Sequence, residues 1–332
     1  MTQVLGRAAI VIVVLAAAAA PTLAPNPPSV QLTDRLNAPP TRIHVVGADG
    51  RWHVPFVYPR RLVDRLASRY EEDRARRVPV RWLTGGRLWT TDATGEPLLL
   101  LGADRLGRDV FARLVYGARA SVGVALLGAL GALVIGALVG GVAGYAGGAI
   151  DDLAMQVADF VLILPAVYVV LAMRAALPLV LDPRDIFLLV AGLLALVGWP
   201  MAARGVRAIV AGERRLEYAE AARSLGAGHA RLLFRHLLPA TRGYLGVQAT
   251  LLVPAFILAE ATLSYVGLGF AEPMPSWGTM LREAGENVRD LASFPWLMSP
   301  AAAISGVALA VHLATSGRTS AGQLVREIDK GR

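Results

Sequence analysis

The chain has no cysteine, and Lys330 is the one lysine among its 33 basic residues. Without thiols there is no disulfide, no thiolate nucleophile and no cysteine zinc site. A P-loop requires Gly-x-x-x-x-Gly-Lys followed by Ser or Thr, because the ammonium bridges the phosphates, yet Lys330 is followed by Gly331 and Arg332. Any ATP that drives this protein must therefore be hydrolysed by another chain. Histidine is sparse as well. His44, His53, His229, His236 and His312 show no metal-ligand spacing, so neither a metal nor another cofactor is expected.

Apolar runs, by contrast, are plentiful. The 332 residues are 55 % hydrophobic, and a mean hydropathy of +0.51 places the chain in a lipid bilayer. The formal charge of +8 comes from 33 Lys plus Arg against 25 Asp plus Glu. The arginines are spread between apolar segments rather than gathered on one soluble domain, which argues against a nucleic-acid partner.

Six spans are expected. Ala8 to Leu23 is short for a span of ~20 residues and reads as a signal peptide or an anchor helix within residues 1–24. The others are Ser121 to Tyr145, Val157 to Leu181, Ile186 to Ala203, Gly246 to Val266 and Trp296 to Thr315. Residues 25–118 are polar and form an extramembrane segment. Leu62, Val63, Leu66 and Tyr70 have helical spacing, whereas Val78 to Trp82 and Arg87 to Thr91 read as strands, so a small α+β insert is expected. The core, residues 119–316, would then hold five spans and the loop 204–245, followed by a tail at 317–332. That loop carries Arg204, Arg207, Arg214, Arg215, Arg223, Arg231, Arg235 and Arg242, which assigns it to the cytoplasm. Both termini follow it there, and the insert lies outside, since segments beyond ~60 residues translocate largely regardless of charge.

Gly123, Gly128, Gly131, Gly136, Gly140 and Gly144 line the second span, where small residues let backbones approach in lipid. Tight packing is the first reading of that stripe, and a surface that slides during transport is the second. Asp159, Arg174, Glu260 and His312 are ionisable groups in or near spans; each should face a partner, a cavity or the interface. Glu260, followed by Asp159, is a candidate for the translocation path. Pro165, Pro200 and Pro254 can kink their helices.

Between the fourth and fifth spans, Arg215 to Leu225 lacks proline and glycine and should be helical, with Gly226 ending it. Leu216, Ala219 and Ala222 form a stripe of low relief flanked by Glu217, Glu220, Arg223 and Ser224, a surface suited to a cleft. After Gly228 helical character resumes until Pro239. Glu220-Ala221-Ala222, a glycine at Gly226 and the closing Leu238-Pro239 together resemble the EAA loop of ABC importer permeases. Leu101 to Ser121, with Gly107, Arg108 and Asp109, and Leu263 to Leu281, with Pro275, Ser276, Trp277 and Gly278, are similar to signatures of C-type dipeptide and oligopeptide permeases.

The resemblance to these inner membrane components of binding-protein-dependent importers implies an all-α polytopic fold of the type I permease kind. It favours an uncleaved first helix and a multi-pass protein of the bacterial inner membrane. It further implies one half of a translocation pore for di- or oligopeptides, without an ATPase site of its own. The expected partners are a second homologous permease, two ATP-binding cassette subunits and an extracytoplasmic substrate-binding protein. ATPase coupling would fall to Glu217, Glu220, Ala221, Ala222, Arg223, Gly226, Leu238 and Pro239.

Bland readings stand beside these. The loop arginines can merely fix topology, Gly102, Gly107 and Asp109 can simply cap the helix that follows, and Pro273 to Gly278 can be an interfacial turn. The rival functions are a secondary transporter driven by an ion gradient and a membrane-anchored protein acting through residues 25–118. The first should show repeated halves and functional intramembrane charges, and here there is no convincing repeat and few charges; the second should show a nucleophile elbow, metal spacing or phosphate loop, and residues 25–118 offer none of them.

Overall fold

The computed structural model describes residues 2–47, 50–65, 68–91, 96–164, 168, 182–270, 272–286 and 288–330. In chain order the helices are α1 (Thr2–Ala18), α2 (Ala20–Leu23), α3 (Val110–Ala146), α4 (Gly148–Ile163), α5 (Pro183–Glu213), α6 (Glu217–Ser224), α7 (Arg242–Tyr265), α8 (Trp277–Gly285), α9 (Val288–Ser293) and α10 (Ser299–Lys330). Six strands, β1 (His44–Val46), β2 (Trp52–Val57), β3 (Arg60–Asp64), β4 (Arg69–Glu72), β5 (Val78–Thr84) and β6 (Arg87–Thr91), lie between α2 and α3. Two compact units result, one from Met1–Ser121 with Ala261–Ala314, the other from Val122–Glu260 with Thr315–Arg332.

Four helical stretches among the described residues are long and apolar enough to cross a bilayer: Val110–Ala146, Pro183–Glu213, His229–Tyr265 and Pro295–Thr315. Helices satisfy their own backbone groups, which hydrocarbon demands of any spanning segment. Thr2–Ala18 is apolar but shorter; Pro21, at the start of α2, supplies no N–H to continue the first helix. Of the expected span at Val157 to Leu181, α4 covers the first part, and most of the rest, with Pro165 and Arg174, lies outside the described residues.

In the first unit the insert is built of strands. A four-stranded sheet runs β1-β2-β5-β6 and a separate hairpin pairs β3 with β4. The two strands expected at 78–82 and 87–91 are present, paired antiparallel with Trp82 opposite Trp89. The helix expected over Leu62 to Tyr70 is not: Leu62 pairs with Tyr70 across the β3–β4 hairpin. Among the described residues the insert is therefore β rather than α+β. Its core is Val57, Val78, Val80 and Leu98, with Trp89 and Leu100 against it. The strap at residues 25–41 ties to the stretch before α3, for Asn26 donates to the Leu98 carbonyl at 2.8 Å and Ala103 N to that of Ala38 at 2.8 Å.

In the second unit, α3 packs on α5 through the glycine stripe. A methyl on Gly136 would sit 2.5 Å from the Ala202 side chain, and one on Gly140 would collide with the Ala203 carbonyl. The stripe is thus a packing surface. Ala158 of α4, Trp199 and Ala203 of α5 complete a buried cluster. Pro200 lies buried within α5 and Pro254 lies within α7.

Candidate functional site

The segment joining α5 to α7 folds as a short amphipathic hook. Helix α6 begins after the extended Leu216 and ends where the chain turns at Gly226, whose φ of 84° lies in the left-handed region that only glycine enters at little cost. The chain then runs through a helical turn at His229–Arg231, a π turn at Leu232–Leu237 and a 3-10 turn at Leu238–Thr241 directly into α7. Pro239 therefore does not end the helical path. It sits in the first positions of the 3-10 turn, where a missing N–H costs nothing.

One face of the hook is closed by its own chain. Ala219 is fully buried among Val206, Val210, Leu232, Leu233 and Leu237, with Ala222, Leu238 and Tyr145 packed against this cluster. The low-relief stripe expected to enter a cleft is thus largely used internally: Ala219 faces inward, Ala222 is half-buried, and Leu216 is exposed. The outward face presents Glu217, Glu220, Ala221 and Arg223, with Leu225 89 % exposed beside them. Tyr218 donates to Glu213 at 2.6 Å; burial first, and that hydrogen bond second, push its hydroxyl up to about 12, so it remains a neutral donor.

The loop arginines are spent on several partners. Arg207 of α5 forms a forked contact with Asp151 of α4, with Nε 2.8 Å from Oδ1. That hydrogen bond holds the Asp151 carboxyl below the ordinary carboxylate range. Arg214 donates to the Tyr145 carbonyl at 2.5 Å. Arg204 pairs with Asp159, which is half exposed, while Glu260 is completely buried within α7. These two candidates for the translocation path are not brought together.

In the first unit the two remaining motifs meet. Asp109 caps α3, accepting from Phe111 N at 2.9 Å and Ala112 N at 3.1 Å, and also takes a bond from Asn26 at 2.8 Å. Burial pushes its carboxyl up to about 6 against those three bonds. Gly107 donates to the Asp104 carbonyl at 2.9 Å. Ser276 caps α8 in a capping box with Thr279, and the Trp277 indole donates to the Leu114 carbonyl at 3.0 Å. Gly278 lies so close to α7 that a methyl there would sit 2.5 Å from the Ala261 carbonyl. Pro275 is buried beside them.

Between these motifs is a charged cluster that the sequence reading did not find. Arg108 reaches Asp104 at 2.8 Å, Glu283 at 2.6 Å and Glu272 at 2.5 Å. Arg113 grips Glu283 with both nitrogens, at 2.7 and 2.8 Å, and Asp104 at 2.6 Å. Beside it is a cavity of about 430 Å³ whose apolar lining includes Val110, Met280 and Leu297. Partners 170 residues apart leave no periodic trace in a sequence; Asp104, Arg113 and Glu283 had no local signal.

Long apolar helices joined by a cationic, hooked segment define a polytopic membrane protein. Comparison with known proteins makes this specific: residues 115–329 match the family of binding-protein-dependent transport system inner membrane components. The chain belongs to that family. It is 38 % identical over 195 residues to the oligopeptide transport system permease protein OppC of Bacillus subtilis, covering 59 % of this chain and 61 % of the relative. To the dipeptide transport system permease protein DppC of the same organism it is 41 % identical over 206 residues, covering 61 % of this chain and 62 % of the relative. To the di/tripeptide permease protein DppC of Pseudomonas aeruginosa it is 36 % identical over 241 residues, covering 72 % and 74 %. The matches thus span less than two thirds of the length of the two Bacillus relatives.

Proposed function

We propose that this chain is the permease subunit of an ATP-driven importer of di- or oligopeptides, forming half of a translocation pore with a second, homologous permease. Two ATP-binding cassette subunits would engage α6 from the cytoplasm, and an extracytoplasmic binding protein would deliver the peptide. The relatives' names supply the substrate class. The observation that carries the coupling role is the division of α6 into two faces, Ala219 sealed into its own chain and Glu217, Glu220 and Ala221 turned outward. A helix rigidly seated on one side and polar on the other can transmit force to the helices that hold it. Closure of the ATPases would do work because α6 makes different contacts in the two states. Glu217, Glu220, Ala221 and Arg223 would form the contact surface, Ala222, Leu238 and Pro239 its seat, and Gly226 the turn behind it. The chain's single lysine offers no P-loop, so hydrolysis belongs to the partners.

Glu220→Ala should abolish uptake of radiolabelled di- and tripeptides by cells carrying the complete importer, with membrane insertion intact. Unchanged uptake would sink the assignment of α6, and ATP turnover by the purified chain alone would contradict the division of labour.

A further inference from the structure

The sequence places α6 between α5 and α7, so these two helices are its evident mechanical outlets. The contacts around its base lead elsewhere. Tyr145, in the last turn of α3, brings its hydroxyl 2.5 Å from His229 Nδ1, 84 positions along the chain, with the two rings 5.8 Å apart. Its backbone carbonyl accepts from Arg214 at 2.5 Å, at the point where α5 gives way to the hook. One turn earlier, Gly141 lies under Leu238 and Leu233, near enough that a methyl would sit 3.0 Å from a Leu238 methyl. The Arg207–Asp151 fork then fixes the first turn of α4 to α5. Side chain, carbonyl and packing thus converge on one stretch, Gly141 to Asp151, from both ends of the hook.

We propose that Tyr145, with Arg214 and His229, is a positioning clamp that makes the cytoplasmic end of α3 part of the same rigid body as the α6 hook. Displacement of α6 is then delivered to α3, and not only to α5 and α7, the helices that flank it in sequence. In this role Tyr145 acts through His229 and the backbone of its own turn. Energetic coupling across such a junction requires a body that moves as one and is biased at both ends. Two attachments at Tyr145 and a third one turn earlier, at Gly141, meet that requirement.

This inference rests on the coupling role of α6, and the experiment separates the two. The readout is the ratio of ATP hydrolysis with binding protein to that without it, in proteoliposomes holding the complete importer, which reports how strongly the extracytoplasmic event reaches the ATPases. Tyr145→Phe keeps the ring and removes the hydroxyl; the ratio should fall about fivefold. Since the chain has no cysteine, a Tyr145→Cys/His229→Cys pair supplies its only thiols, and importer with the unsubstituted chain, treated alike, controls for thiols on the partners. The unbridged pair should show the same loss, and a short bis-methanethiosulfonate, which forms a disulfide at each thiol and releases methanesulfinate, should restore the ratio. A full ratio for Tyr145→Phe, or a bridged protein no better than the unbridged one, would overturn the clamp. Glu220→Ala serves as the reference. If it collapses the ratio while Tyr145→Phe does not, coupling through α6 stands and the clamp falls; if Glu220→Ala leaves the ratio intact, both fall.

Discussion

The cluster around Arg108 and Arg113 predicts an asymmetry between its acids and its bases. The two guanidiniums carry two positive charges and Asp104, Glu272 and Glu283 three negative ones, a net of −1. The arginines are nearly sealed, with side chains 6 % and 4 % exposed, and Glu283 is 15 % exposed. Glu283→Gln brings the net charge to 0. Its amide oxygen at the Oε2 position keeps the bonds from Arg108 and Arg113 Nη1, and one charge-assisted bond, from Arg113 Nη2, is lost. That loss is worth about 2–3 kcal/mol. Arg113→Met instead leaves three carboxylates facing one arginine, a net of −2, and removing one partner of a buried pair costs about 3–5 kcal/mol. At roughly 2–4 °C per kcal/mol for a domain of this size, Glu283→Gln should lower the apparent melting temperature in detergent by about 4–12 °C and Arg113→Met by more, about 6–20 °C. Arg105→Gln, which breaks a pair with Glu286 exposed by 35 % and 53 %, supplies the baseline, since such pairs contribute below about 1 kcal/mol. Size-exclusion chromatography of heated aliquots measures all three. The reasoning is refuted if Glu283→Gln costs as much as Arg113→Met, or if neither differs from Arg105→Gln.

Asp109, raised to about 6 in the folded chain, favours folding when protonated; its contribution, on the order of 3 kcal/mol, is complete near pH 4 and is lost as pH rises through 6. Asp109→Asn, still a good cap, should flatten the melting-temperature slope between pH 4 and 6, and an unchanged slope would assign it to other groups. Gly140→Ala should cost at least ~2 kcal/mol, through collision with the Ala203 backbone. Gly192→Ala, with nothing near its new methyl, should be neutral or slightly stabilising by melting. Ala219→Leu should disrupt the folded hook and Ala221→Leu should not, as judged by protease resistance of residues 204–245; equal resistance would contradict the two-faced helix.

The helical segments and the two β5–β6 strands were legible because their periods are local. Leu62 to Tyr70 misled for a physical reason: a hairpin sets residues either side of its turn opposite one another, and the spacing of Leu62 and Tyr70 across it coincides with two helical turns. The α6 helix and its glycine stop could be read from composition, whereas the inward direction of Ala219 depends on Leu232, Leu233 and Leu237 returning from beyond Gly228. Arg108 and Asp109 were legible as a motif. Their partners in α8 were not, since long-range ion pairing leaves no pattern along the chain.

The π turn at Leu232–Leu237 is the shape a helix takes when it carries one residue more than its hydrogen-bond register accepts. The π turn unwinds the chain and the 3-10 turn at Leu238–Thr241 winds it tighter again, so the two together set the register in which α7 leaves the hook. The stretch from His229 to Tyr265 is thus one rod with two phases. Leu232, Leu233 and Leu237 are set toward the hook by the first, while the residues of α7 obey the second. A single-residue deletion inside the turn would keep the rod continuous and re-aim one end against the other, so the angle of the hook is set here and not along the membrane helix.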